Sequence, residues 1–277
     1  MTLATVTAMV NQLLPEPHAG LLSGMLFGTR ATLAPDLTTA LIRSGTLHII
    51  ALSGMNITIL INVISLVLLP FVSRRVASLL AIFGITGFIA FVGPSPSVIR
   101  AGIMGSIGLL AVVFGKLNWG LLSLGLAVSV MLLLKPAWIT DLSFQLSVLA
   151  TLGILLFGGS APKERKARSR SYVRILWKMF SRAMHDDLRI TLSAQVFTLP
   201  LLLFVFGRIS LVSPLANVLI GWLIAPLTVL GFAAILAGFV WLPLGQGVAW
   251  ICWALLEYVI WVVRTTSMLP FASIEGF

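Results

Sequence analysis

Long apolar runs, separated by charges, Pro or Gly, alternate along the 277-residue chain. A transmembrane helix needs about 20 predominantly apolar residues to cross the hydrocarbon core. The pattern predicts spans at 54–73, 76–92, 98–115, 118–134, 138–157, 189–207 and 246–264. We therefore expect an all-α fold, a polytopic transmembrane helical bundle with amphipathic interfacial helices.

The stretch 210–240 is also apolar, but it does not have the length of a simple span. At about 1.5 Å per residue it would reach roughly 46 Å, whereas the hydrocarbon core is about 30 Å thick. Pro214 and Pro226 lie within it, so we expect one broken helix or a re-entrant pair. Counted as one crossing, it brings the predicted number of spans to about eight.

Composition and charge fix the class of protein and its orientation. Hydrophobic residues make up 59% of the chain and charged residues 9%, whereas soluble domains carry about 25% charged residues. The net charge is +10, and Arg74, Arg75, Lys116 and the segment 163–189 fall on one side of the predicted spans. The positive-inside rule makes that side cytoplasmic. We expect a multi-pass protein of the cytoplasmic (inner) membrane whose span set ends outside.

The segment 163–189 is the long polar stretch of the chain. Four basic residues recur every four positions and so share one face of a helix: Arg170, Arg174, Lys178 and Arg182. The opposite face is apolar, which predicts an amphipathic helix in the inner interface with its basic residues toward lipid head groups. A basic track for nucleic acid or an acidic partner is the alternative.

We find no internal repeat of 20–50 residues, so we expect one transmembrane domain over 1–277. Its predicted parts are a peripheral, amphipathic segment 1–50, a first span group 54–157, a basic cytoplasmic amphipathic segment 160–189 and a second span group 189–277.

Catalysis is not expected. In "HIIALSGMNITIL" (48–60), Ser53 could act as nucleophile and His48 as base. However, a separation of five residues places two side chains about 140° apart around a helix axis, so these side chains would point in different directions. No carboxylate or second histidine is placed to complete a triad. The chain has no HExxH, GxSxG, P-loop or EF-hand motif. We expect no enzymatic activity, no metal site and no cofactor.

Polar residues within the apolar runs form stripes at helical spacing. These are Asp141 with Gln145; Thr191, Gln195 and Thr198; and Ser213, Asn217 and Gly221; Arg100 stands apart from them. A single stripe can be explained by hydrogen bonds to a neighbouring helix. Several stripes together with two ionisable residues indicate a hydrated passage, because buried charges in a membrane usually face a cavity or a partner.

Several motifs follow one another along nearly the whole chain. They are "LPEPHAGLLSGMLFGTR" (14–30), "SGTLHIIALSGMNITIL" (44–60), "GPSPSVIRAGIM" (93–104), "DLSFQLSVLATLG" (141–153), "AQVFTLPLLLFVFGRISLVSPLANVLIGWLIAPL" (194–227) and "LPFASIEGF" (269–277). In this order they resemble the competence domain of the ComEC family, bacterial inner-membrane DNA-uptake channels. The resemblance implies a channel that passes single-stranded DNA across the cytoplasmic membrane during natural transformation.

The resemblance also implies partners. Besides single-stranded DNA and the lipid bilayer, we expect a separate cytoplasmic motor, because the chain has no ATPase motif. Full-length family members add an OB-like domain and a metallo-β-lactamase-like domain, whose patterns do not occur in this sequence. The chain is thus expected to be a minimal member, a fragment, or one whose extracytoplasmic DNA-binding or nuclease components are separate.

For a DNA path, basic and neutral polar residues are expected to line the passage. Asp141 is expected to pair with Arg100 or to serve as a structural brace. Asn56 stands where many family members have a histidine, so a hydrogen-bonding role is retained there and a titratable one is not. The lining candidates are Arg43, His48, Ser53, Asn56, Arg100, Gln145, Gln195 and Asn217.

Two functions of other classes compete with a DNA channel. A secondary transporter for a small polar or anionic solute would favour inverted repeats, which the sequence does not show. A non-conducting membrane scaffold would dock its partners through the basic segment 163–189.

Overall fold

The computed structural model describes residues 2–29, 33–50, 54–117, 119–158, 172–206, 208–210, 212–269 and 274–275. The helices are α1 Leu3–Leu13, α2 His18–Phe27, α3 Pro35–Arg43, α4 Gly54–Leu68, α5 Arg74–Val92, α6 Pro96–Val113, α7 Gly120–Leu134, α8 Leu142–Phe157, α9 Tyr172–Phe206, α10 Ser213–Val240 and α11 Leu242–Ser267. Two 3-10 helices, Leu47–Ile49 and Pro136–Thr140, precede α4 and α8. The fold is all-α, as predicted.

Six helical segments of the described chain are long and apolar enough to cross a membrane. They are Arg74–Val92, Pro96–Val113, Leu188–Val205, Ser213–Val240, Leu242–Ser267 and Leu47–Leu68, of which residues 51–53 lie outside the described part. The predicted spans 118–134 and 138–157 correspond to α7 and α8, which have 15 and 16 residues. At about 1.5 Å per residue they reach roughly 23 Å, less than the hydrocarbon core. The protein is a multi-pass membrane protein, with two helices shorter than a full span.

Within the apolar stretch 210–240, residues 213–240 form one continuous helix, α10, of 28 residues with Pro226 inside it. Neither a break nor a re-entrant pair occurs in this helix, because neighbouring helices can support a proline within a membrane helix.

The last turns of α10 pack tightly on α11: a Cβ on Gly245 would lie 2.5 Å from the Gly238 Cα. Beyond the end of α11, the short strand β2 (Ile274–Glu275) pairs antiparallel with β1 (Arg208–Ile209), which follows α9. The C-terminal ends of α9 and α11 therefore lie at the same end of the bundle.

The N-terminal helices are not peripheral, in contrast to the prediction for 1–50. All ten residues of α2 are buried, and α1, α2 and α3 share one apolar core with α10 and α11. Small residues make this packing possible: a Cβ on Gly231 would lie 2.9 Å from Leu22. A second core joins α4, α5 and α6.

The basic segment is part of a longer helix. α9 runs without interruption over 35 residues, so residues 172–189 of the segment predicted as a separate interfacial helix form the first half of the helix that continues through 189–206. Arg170 lies outside the described residues. Arg174, Lys178 and Arg182 belong to α9, but their side chains lie outside the described part, which leaves their predicted orientation as a prediction.

Candidate functional site: a ring of five helices

Five helices contact one another in a closed ring: α4 packs on α6, α6 on α8, α8 on α9, α9 on α10, and α10 on α4. Within the described residues, ring members that are not neighbours make no extensive contact. α5 packs on α4 and α6 and also contacts α10, where the Phe88 ring lies 6.1 Å from the Phe232 ring. α7 packs within the ring mainly on α6 and α8.

Each helix of the ring carries one of the predicted lining residues. In ring order, these are Asn56 on α4, Arg100 on α6, Gln145 on α8, Gln195 on α9 and Asn217 on α10. The sequence predicted Gln145, Gln195 and Asn217 from separate stripes, Arg100 as an isolated charge and Asn56 from the segment that resembles the family. It gave no information on which helices are neighbours. The ring is the arrangement that relates them.

The contact between α9 and α10 is built around the Ser213 hydroxyl. Its oxygen accepts hydrogen bonds from Gln195 Nε2 at 3.4 Å and from Asn217 Nδ2 at 3.3 Å. The hydroxyl donates to the Gly45 carbonyl oxygen at 3.3 Å, and His48 Nδ1 lies 3.2 Å from the same oxygen. We call these five residues the Ser213 cluster. It brings together three predicted lining residues from three separate segments.

The backbone at Gly45 allows the cluster to form. Gly45 has φ +70°, a conformation that favours glycine, and a Cβ there would lie 2.6 Å from the Ser213 Cβ and 2.8 Å from the Ser210 Cβ. Ser210 also donates to the Arg43 carbonyl oxygen at 2.9 Å. Arg43 itself is the last residue of α3 and its side chain is exposed. Its backbone carbonyl, rather than its guanidinium, makes the contact with Ser210, which lies beside the Ser213 cluster.

Arg100 lies at the contact between α6 and α4. Its side chain is 8% exposed, and its Nε is buried with no hydrogen-bond partner among the described residues. The guanidinium Nη2 lies 3.0 Å from the position that a Cβ on Gly54 would take. Arg100 therefore points at the first residue of α4. Ser53, the preceding predicted residue, lies outside the described residues.

Asp141 contacts its own helix and forms no described ion pair with Arg100. Its Oδ1 accepts the Phe144 N–H at 2.9 Å and caps the N-terminus of α8. The pairing alternative is therefore not what the described structure contains. Gln145, one turn later, donates through Nε2 to the Ile139 carbonyl oxygen at 2.8 Å and ties the preceding 3-10 helix to α8.

Asn56 joins the ring to the N-terminal core. Its Nδ2 donates to the Met25 carbonyl oxygen of α2 at 2.6 Å, and its Oδ1 is buried with no partner in the described structure. The side chain is almost fully buried. A hydrogen-bonding role, and not a titratable one, suits this position.

A pair that sequence analysis missed lies in the N-terminal core. His18 Nε2 is 2.8 Å from the Glu257 Oε2, and the His18 ring packs on Trp253 with centroids 5.4 Å apart. The isolated Glu257 in an apolar span is the signal that could have indicated a partner, but a histidine 239 residues away could not be chosen from spacing.

Comparison with known proteins identifies the family. The family model described as "Competence protein" matches residues 25–276, which include every helix of the ring. The chain belongs to this family. It is 24% identical over 218 residues to ComE operon protein 3 of Bacillus subtilis (strain 168), an alignment that covers 77% of this chain and 26% of that protein. The chain thus spans about a quarter of the length of this relative. No solved structure matches.

Family membership confirms the resemblance found in the sequence motifs. It associates this Competence protein with DNA uptake and, together with the apolar helices, with a membrane.

Proposed function

We propose that the chain is a channel that passes single-stranded DNA across the cytoplasmic membrane, and that the ring of five helices surrounds the path. The observation that carries the proposal is the coincidence of a closed ring with one polar or basic residue on each of its helices. Family membership supports DNA as the class of substrate, and the ring supports a route through this part of the bundle.

The size of the ring suits one strand. Five helix axes spaced about 10 Å apart in a regular ring lie roughly 8.5 Å from its centre. Helices with a radius of about 5–6 Å then leave an opening of about 6 Å. A duplex, whose major groove alone is about 12 Å wide, does not fit such an opening. An extended single strand has the right scale.

The chemistry of the ring also suits a polyanion that has to move. Gln195, Ser213 and Asn217 offer neutral polar groups, so they would bind phosphates and base edges weakly enough for sliding. Asp141, directly before α8, uses a carboxylate oxygen to cap that helix. Two further acidic residues, Asp186 and Asp187, belong to the basic half of α9, where the side chains lie outside the described part.

The proposal includes components beyond this chain. The driving force would come from a cytoplasmic motor, since the sequence has no ATPase motif, and strand processing from extracytoplasmic DNA-binding or nuclease components. The chain itself would perform no catalysis, and the side that carries the basic half of α9 would face the cytoplasm.

Crosslinking during uptake tests the route. A photoreactive amino acid at Gln195 is expected to capture labelled DNA during transport, whereas the same group at the neighbouring Val196, which is 58% exposed, is not. In parallel, Gln195→Leu should reduce the arrival of labelled strand in the cytoplasm while Val196→Leu leaves it unchanged. Equal crosslinking at both positions, or normal uptake in Gln195→Leu, would show that the ring is not the route.

The same cells distinguish the alternatives. A scaffold predicts that neutralising Arg174, Lys178 and Arg182 abolishes function while the Gln195 variant is normal. A small-solute transporter predicts that uptake of labelled single-stranded DNA continues at the normal rate when the chain is deleted. Either result would replace the channel proposal.

A further inference from the structure

Glu257 is a carboxylate on the outer surface of a helix that is long and apolar enough to cross the membrane. α11 (Leu242–Ser267) is about 39 Å long at 1.5 Å per residue, whereas the hydrocarbon core is about 30 Å thick. Glu257 lies about 22 Å from the start of the helix and about 15 Å from its end. Wherever the core falls along α11, Glu257 therefore lies at least about 7 Å inside it.

The carboxylate is covered on one side only. His18 approaches it from the N-terminal core, with Nε2 2.8 Å from the Glu257 Oε2, and the His18 side chain is 8% exposed. The Glu257 side chain is 52% exposed, and its Oε1 makes no hydrogen bond with the residues that the structure describes. Lipid tails offer no donor, and a charged side chain at this depth usually faces a partner or a cavity. The outer side of the carboxylate therefore requires a donor from a neighbouring molecule.

Two tryptophans flank Glu257 on the same face of α11. Trp250 lies seven residues before it and Trp261 four residues after it, spacings that share one side of a helix, and both are more than half exposed. They are about 17 Å apart along the axis, roughly half of the hydrocarbon thickness, so they cannot both anchor at the two membrane–water interfaces. Indole faces attract cations. We call Trp250, Ala254, Glu257 and Trp261 the α11 face.

A groove borders the α11 face. It has a volume of about 460 Å³ and is lined by Leu13, Leu14, Pro15, Gln246, Trp250 and Trp253. Trp253 also packs on His18, with ring centroids 5.4 Å apart, so the groove and the His18–Glu257 pair share a wall. Mostly apolar walls beside an acceptor provide space for apolar side chains next to a cationic one.

A second copy of the chain does not supply the missing cation. A twofold contact through the α11 face would bring Glu257 against Glu257, and like charges repel. Arg100 is buried, and lipid head groups lie outside the hydrocarbon core. The other basic residues whose side chains are described in or beside the apolar helices lie at the ends of the apolar segments: Arg74, Arg75, Lys116, Lys135, Arg189 and Arg264. The donor therefore has to belong to another protein that enters the membrane.

We propose that the α11 face docks a membrane helix of another protein that carries one Lys or Arg near the middle of its apolar stretch. The cationic group donates to the Glu257 Oε1 and lies against an indole face, while apolar side chains about two turns away enter the groove. Ala254 is exposed on this face, and such small residues allow close approach between membrane helices. The proposal concerns the exterior of the bundle and does not depend on the route of the strand.

Association with a designed membrane helix tests the proposal. The full chain, labelled at its N-terminus, is reconstituted in vesicles of neutral lipid with a labelled Leu–Ala helix of about 22 residues that has one central Arg. Energy transfer should exceed that obtained with a central Leu, and Glu257→Gln should bind the Arg helix about three- to tenfold more weakly. Asp36→Asn, which removes an exposed carboxylate paired with Arg264 near the end of α11, should bind as the wild type does.

Two further variants separate docking from a structural role of Glu257. His18→Asn removes the internal partner but keeps the carboxylate, so binding of the Arg helix should persist. Ala254→Phe keeps the His18–Glu257 pair but adds volume to the α11 face, so binding should fall several-fold. Leu133→Phe, at an exposed position of α7, should leave binding unchanged. Thermal unfolding of each variant confirms that it is folded.

Four results would overturn the proposal. Equal energy transfer with the Arg and Leu helices would indicate non-specific apolar contact. Unchanged binding by Glu257→Gln would remove the carboxylate from the contact. Loss of binding in His18→Asn together with normal binding in Ala254→Phe would assign the pair a structural role. Energy transfer between two labelled copies of the chain that disappears in Glu257→Gln would assign the α11 face to a second copy.

Discussion

Substitution of Gly45 by alanine tests the geometry on which the Ser213 cluster depends. Two effects add at this position. The φ of +70° lies in the left-handed region, which is unfavourable for alanine by roughly 1–2 kcal/mol. The added methyl would lie 2.6 Å from the Ser213 Cβ, and forcing extra volume into a packed site typically costs about 1–3 kcal/mol. We expect Gly45→Ala to lower the free energy of unfolding by about 2–5 kcal/mol.

Gly115 provides the matched control. It also has a positive φ, +64°, but a Cβ at this position would meet nothing within 4 Å. Gly115→Ala should therefore show the backbone effect alone, about 1–2 kcal/mol. The difference between the two variants isolates the contact of the loop with α10.

Reversible unfolding in mixed micelles, followed by tryptophan fluorescence, measures both values. Equal destabilisation by Gly45→Ala and Gly115→Ala would refute the close approach of Gly45 to Ser213. DNA uptake by Gly45→Ala at a temperature where the variant remains folded gives a second readout. We expect it to fall, because the displaced loop moves the Gly45 carbonyl away from Ser213 and His48.

Two further predictions use the same unfolding assay. Asp141→Ala should lower the free energy of unfolding by about 1 kcal/mol because the α8 cap to Phe144 is removed. Asp36→Ala should lower it by less than about 1 kcal/mol because the ion pair of Asp36 is exposed. A larger loss in Asp36→Ala than in Asp141→Ala would contradict the cap. Asn56→Ala should lower the free energy of unfolding by about 1–3 kcal/mol because the Met25 carbonyl oxygen is left without its donor. An unchanged free energy of unfolding would contradict that hydrogen bond.

The membrane class and most helices could be predicted from the sequence, because apolar length depends on local composition. α10 shows the limit. Its 28 residues exceed a typical span, and Pro226 suggested a break, but the support that keeps the helix continuous comes from its neighbours. α2 shows a different limit: its apolar, small-residue sequence is compatible with an interface, and only tertiary packing buries it on all sides.

The candidate site was predictable residue by residue but not as an arrangement. Helical spacing identified Gln195 and Asn217 as polar positions in apolar segments, yet it could not show that both bind Ser213. Asp141 was expected to brace the structure or to pair with Arg100. In the structure it caps α8, because an aspartate directly before a helix can reach the N–H three residues later. The approach of Arg100 to Gly54 depends on which helices are neighbours, which no local pattern contains.

α10 connects two parts of the protein that have different requirements. One side belongs to the apolar core with α1, α2, α3 and α11, where packing determines stability. Its first turns carry Ser213 and Asn217 and complete the ring, where half-buried polar groups add little to stability but determine what can pass. Substitutions in the core should therefore reduce stability and uptake together, whereas those at the half-buried ring positions Gln195 and Asn217 should reduce uptake at nearly unchanged stability. If α10 belongs both to a rigid core and to a polar path, its core substitutions should reduce stability and uptake, and its polar substitutions should reduce uptake alone.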